Sequence, residues 1–134
     1  MGVLQPFILT LLYFIVAIVI VVIGLFIFEK ITQNYKDWDE IKNGNTAIAL
    51  SITGKVIGIC IILAFAIYHS TQVWDTLIWG AFGVILQMIA YLIFEGLTRK
   101  FSVETQLHKN NVAVGVVTMG VSIGLAFVIG ASIT

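Results

Sequence analysis

Four stretches of this chain are nearly free of charge and long enough to cross a hydrocarbon layer. Phe7 to Phe28 carries no charged residue over 22 positions, Thr76 to Phe94 none over 19, and Val112 to Thr134 none over 23. Asn45 to Tyr68 is equally apolar over 24 positions apart from Lys55. A helix rises about 1.5 Å per residue, so about 20 apolar residues span the core of a bilayer. The runs therefore predict four transmembrane helices, about 7–28, 45–68, 76–94 and 112–134. Reading each run as a buried helix of a soluble core leaves too little polar surface. Of 134 residues, 60% are apolar and only 10% charged, whereas a soluble domain carries about 25% charge.

The N-terminal run is read as a retained first helix. A secretory signal peptide begins with positive charge and ends at small residues. Here Met1 to Phe7 holds no Lys or Arg, and the run closes on Phe26, Ile27 and Phe28. The remaining cations set an expected topology. Lys30, Lys36 and Lys42 lie between the first two helices, and Arg99, Lys100 and Lys109 between the last two. The His69–Asp75 connection and both ends of the chain have none. By the positive-inside rule both longer connections face the cytoplasm, and both termini lie outside it, in the cell (inner) membrane. Tyr68, Trp74 and Trp79 then mark the outer interface, with Tyr35, Trp38 and Phe101 at the inner one.

The chain also matches itself at an offset of 66 residues without a gap. Ile27-Phe28-Glu29 meets Ile93-Phe94-Glu95, and Thr32 meets Thr98. Asn45-x-Ala47 meets Asn111-x-Ala113, and Gly54-x-x-Ile57-Gly58 meets Gly120-x-x-Ile123-Gly124. The polar and glycine matches argue for two units, 1–66 and 67–134, within one transmembrane domain. Each unit holds two helices, so the second enters the membrane in the same direction as the first. That is a parallel repeat about an axis along the membrane normal.

The pattern Glu40-Ile-Lys-x-Gly44-Asn45-x-Ala47-x-Ala49, followed by Gly54-x-x-x-Gly58, resembles the bacterial family catalogued as "domain of unknown function 350". The second copy departs from it, with Asn110-Asn111-Val-Ala113-Val-Gly115 in place of Gly-Asn-x-Ala-x-Ala. The resemblance covers nearly the whole chain. It implies a small inner-membrane protein built from the same doubled two-helix unit, and it brings no activity with it.

Nothing in the sequence points to catalysis. There is no Ser/His/Asp arrangement, no metal-ligand spacing and no phosphate-cradling loop. The expectation is a protein that is not an enzyme and needs no cofactor or metal. Seven cations balance seven anions, which excludes a basic nucleic-acid-binding module. Cys60 is the one cysteine, so no internal disulfide forms.

Three constellations remain. Gly54/Gly58 and Gly120/Gly124 stand four residues apart on the second and fourth spans, where small residues let backbones approach in lipid. They are expected to mark a helix contact, within one chain or between copies. Lys55 lies about 16 Å into its helix, near mid-membrane, at a depth where no carboxylate is available. Gln87 is its nearest expected partner. Lys55 either snorkels or sits deprotonated in packed protein, or it faces a water-filled path. Finally, Glu29 and Glu95 close the first and third spans at the end where the helix dipole disfavours them. Each is expected to meet the start of the next helix, which Asn45 and Asn111 would cap. The resulting functional expectation is a non-catalytic scaffold or accessory subunit in the lipid bilayer, assembling with itself or another membrane protein. The alternative is an oligomeric channel or carrier with Lys55 in its polar path.

Overall fold

In the computed structural model, residues 2–31, 37–97 and 103–133 are described. Thr32, Tyr35, Lys36, Thr98, Arg99, Lys100, Phe101 and Thr134, on which part of the sequence argument falls, lie outside them. The fold is all-α: α1 (Gln5–Ile31), α2 (Asp37–Lys42), α3 (Thr46–His69), α4 (Val73–Leu97), α5 (Val103–His108) and α6 (Val112–Ile133). Among the described residues there is no strand. The four long helices are each apolar enough to cross a membrane.

Two of these run past the limits expected from charge. α1 continues through Glu29 and Lys30, and α4 begins at Val73 and ends beyond Glu95. A charged side chain at headgroup depth leaves the backbone hydrogen bonds of a helix intact, so charge marks the hydrocarbon edge and not the helix end. At the start of α4 the charge helps: Asp75 Oδ2 accepts from the Thr71 hydroxyl at 2.9 Å and from the Thr71 and Gln72 N–H groups at 3.3 Å each. An anion there also suits the helix dipole.

The connections contain two short helices in addition to the four expected spans. α2 and α5 begin 66 residues apart, as do α3 and α6. Each short helix is followed by a left-handed residue, Gly44 at φ 86° and Asn110 at φ 61°. Glycine and asparagine are the two residues that tolerate this conformation most readily.

α3 and α6 form the central pair, with α4 packed against both and α1 laid on α3 and α4. Buried Ile20, Phe28, Ile59, Leu63 and Val84 join α1, α3 and α4. A second cluster, including Ala47, Ile48, Val103 and Leu107, tucks α5 under the starts of α3 and α6. Most of α1 remains exposed, as expected of a helix whose other neighbour is lipid.

Candidate functional site

Backbone proximity at the α3–α6 crossing comes from Gly54 and Gly115. A Cβ on Gly54 would stand 2.6 Å from Met119 Cα, and one on Gly115 would stand 2.7 Å from the Ala47 carbonyl oxygen. Gly58 serves a different purpose: a Cβ there would overlap the Gln87 side-chain amide and reach 3.1 Å from the Ser122 carbonyl oxygen. The expectation of a helix contact at Gly120 and Gly124 is corrected in its within-chain form, because among the described residues a Cβ on either meets nothing within 4 Å. α6 presents its opposite side to α3, through Gly115, Met119 and Ser122, and turns this glycine pair outward. Sequence spacing finds a small-residue face but cannot say which way the helix is rotated. Gly80 and Gly83 on α4, not singled out from sequence, lie against Leu63 and Ile62 of α3.

The clearance beside Gly58 positions a polar layer in the bundle interior. Lys55 is 2% exposed. Its Nζ lies 5.1 Å from the Phe28 ring centroid and 4.8 Å from that of Tyr91. The two rings meet edge to face at 5.8 Å and 88°. A cation over aromatic faces gains electrostatic attraction that grows as water is removed. Helical side chains lean toward the N-terminus of their helix, so the ammonium is carried off mid-depth toward Phe28, near the end of α1. Gln87, one turn before Tyr91, donates from Nε2 to the Ser122 carbonyl at 3.3 Å. Gln87 Oε1 and Ser51 Oγ are buried without a hydrogen-bond partner among the described residues. The space beside Gln87, lined also by Phe28, Tyr91, Thr118 and Ser122, is about 10 Å³. That is near the smallest cavity able to hold one water. The aromatic partners were legible only as apolar residues, because ring geometry about Lys55 depends on how α1 and α4 are placed.

The expected clasp of Glu29 with Asn45, and of Glu95 with Asn111, is also corrected. Asn45 Oδ1 accepts from the Ile48 N–H at 3.0 Å and so caps α3. Its Nδ2 donates to Glu40 Oε1 at 3.3 Å, and to the carbonyls of Leu107 at 3.0 Å and His108 at 3.1 Å. Asn111 Oδ1 accepts from the Val114 N–H at 3.4 Å, while its Nδ2 donates to Gln106 Oε1 at 3.0 Å. The short helices α2 and α5 come back beneath the long ones and supply these partners, which is why Glu29 and Glu95 do not. Glu40 and Gln106 stand 66 residues apart, a spacing already visible in sequence. The Ala47 N–H donates to Asn110 Oδ1 at 3.0 Å, so each half contributes to the start of α3. His108 Nδ1 lies 3.4 Å from Glu40 Oε1 on the same side.

Four membrane-length helices around a buried lysine, tied at one end by a polar knot, define a small polytopic membrane protein. The family described as Domain of Unknown Function (DUF350) matches residues 2–133, and the chain belongs to that family. It is similar to the UPF0719 transmembrane protein YshE of Bacillus subtilis (strain 168), 36% identical over 121 residues covering 90% of each chain. It is also similar to the UPF0719 inner membrane protein YjfL of Escherichia coli (strain K12), 34% identical over 79 residues covering 59% of each. No solved structure matches it.

Proposed function

We propose that the protein is a non-catalytic membrane component that assembles with copies of itself. The observation that carries this reading is the outward face of α6. Ala113, Val117, Gly120, Gly124, Phe127 and Ala131 recur at alternating spacings of four and three along it, and all are exposed. A mid-helix glycine costs about 1 kcal/mol in helix propensity relative to alanine. At Gly54 the close crossing offsets that cost, whereas at Gly120 and Gly124 nothing among the described residues does. In lipid, small residues at this spacing let a second helix approach closely enough for packing to hold it.

Gly120→Leu combined with Gly124→Leu should therefore dissociate the oligomer without lowering the melting temperature of the chain. Energy transfer between labelled copies in vesicles, beside thermal melting in detergent, reads both. Undiminished transfer in the double variant would remove this face as the assembly surface.

The alternative, a channel with Lys55 in its path, requires that water reach position 55. Burial of Lys55 between two rings favours the non-conducting reading. A cysteine at position 55, in a Cys60→Ser background because Cys60 is exposed, should stay inert to small charged thiol reagents. Rapid labelling would favour the channel instead.

In this reading the termini lie outside the cytoplasm: five cations on the connections carrying α2 and α5, with Lys30 in the last turn of α1, stand on one side against none on the other. Alkaline phosphatase fused after Thr134 should be active. An inactive phosphatase beside a fluorescent cytoplasmic reporter at the same point would reverse the orientation.

A further inference from the structure

Glu29 is the charged residue that the bundle leaves without an explanation. It is partly buried in the last turn of α1, where the dipole opposes a negative charge. Among the described residues no hydrogen bond or ion pair reaches it, since Asn45 is engaged by Glu40 and α5 instead. Among the described residues its surroundings are apolar: with Val22, Leu25 and Phe26 of α1, Trp38 of α2 and Ile52 of α3, it lines a groove of about 240 Å³. An unpaired carboxylate against such walls costs free energy that a cation in the groove would recover.

The groove also states what kind of cation fits. It opens to the lipid, because Val22, Phe26 and Trp38 are 61%, 58% and 63% exposed. It lies at the level of a membrane interface, at the end of a spanning helix and beside a tryptophan. It is smaller than the roughly 300–1,000 Å³ typical of sites that enclose a whole small molecule, so it suits part of a larger amphiphile. Lys30 Nζ stands 5.3 Å from the centroid of the Phe26 ring, which puts a positive charge on the groove's edge beside the negative one in its wall. An adjacent anion and cation above an apolar channel match an ammonium, a phosphate and an acyl chain joined in one molecule.

We infer that this groove binds a phospholipid of the surrounding leaflet whose head group carries a primary ammonium, an ethanolamine phospholipid. Glu29 accepts from the ammonium, Lys30 faces the phosphate, and an acyl chain lies along Val22 and Leu25. A carboxylate that accepts N–H hydrogen bonds distinguishes a primary ammonium from the methylated ammonium of a choline lipid. The corresponding groove of the other half offers a contrast. It is bounded by Phe94, Val103, Asn111 and Thr118 among others, with a volume of about 340 Å³ and no charged group among the described residues of its lining. Ile52 and Thr118 occupy positions 66 residues apart in the two grooves.

Native mass spectrometry of the delipidated full chain, titrated with ethanolamine, choline and glycerol phospholipids of identical acyl chains, tests the assignment. The ethanolamine lipid should be retained on the order of tenfold more strongly than the other two, the value of one charge-assisted hydrogen bond. Glu29→Gln should abolish that preference while leaving general lipid retention in place. Val22→Trp, which fills the groove at an exposed position, should remove the preference as well. Equal retention of the three lipids by the unaltered chain, or a preference that survives either variant, overturns the proposal.

Discussion

Gly54→Leu should destabilise the protein by about 3 kcal/mol or more, while the same change at Gly120 leaves the stability of the single chain nearly untouched. Both glycines hold the same position in a Gly-x-x-x-Gly pair, 66 residues apart. What separates them is the neighbour. At Gly54 the added carbon stands 2.6 Å from Met119 Cα, a backbone atom that cannot swing aside, so α3 and α6 must separate along their whole crossing. At Gly120 the added side chain enters open space. Thermal aggregation in detergent should begin at a far lower temperature for the Gly54 variant, with Gly54→Ala between the two. Equal melting of Gly54→Leu and Gly120→Leu would mean that the α3–α6 crossing lies elsewhere.

The second large effect is expected at Asn45. Asn45→Leu removes a helix cap, about 1 kcal/mol. It also strips the donor from the buried carbonyl of Leu107 and from that of His108. An orphaned buried acceptor costs about 1–3 kcal/mol, so the loss should total roughly 3 kcal/mol or more. Asn45→Asp separates the contributions: it keeps an acceptor for the Ile48 N–H but loses every donor and adds an anion beside Glu40. It should be nearly as harmful as leucine. Asn111→Leu should be milder, because the Asn111 side chain serves only its own helix start and Gln106. Guanidine-free thermal melting of the three variants in one detergent ranks them. If Asn45 and Asn111 variants melted alike, the link from the start of α3 across to α5 would contribute nothing to stability.

Much of the architecture follows from residue order alone. Length and absence of charge place four spanning helices, because continuous apolar runs of about 20 residues suit a helix, whereas barrel strands are about half as long and alternate in polarity. Asn45 and Asn111 are recognisable as helix starts because a cap acts within three residues of itself. The spacing of 66 between Glu40 and Gln106, and between Gly54 and Gly120, is likewise visible in the sequence. Each of these is a local or periodic property, carried by neighbours along the chain.

Partner choice lies beyond that reach. Helix rotation about its own axis decides that Gly54 meets a backbone while Gly120 meets none, and two helices of similar apolarity all round give no sequence signal for that rotation. Return of α2 and α5 beneath the long helices decides that Asn45 binds Glu40 and two carbonyls of the other half, leaving Glu29 to an apolar groove. Lys55 could be located in depth from its position in the run, yet its two rings come from helices 27 and 36 residues away in sequence, Phe28 and Tyr91. Residue order settles which segments enter the lipid and, at Asn45 and Asn111, where two of them begin. What each polar group touches is set by how separate helices pack, because a polar side chain in hydrocarbon takes its energy from the few ångströms around it.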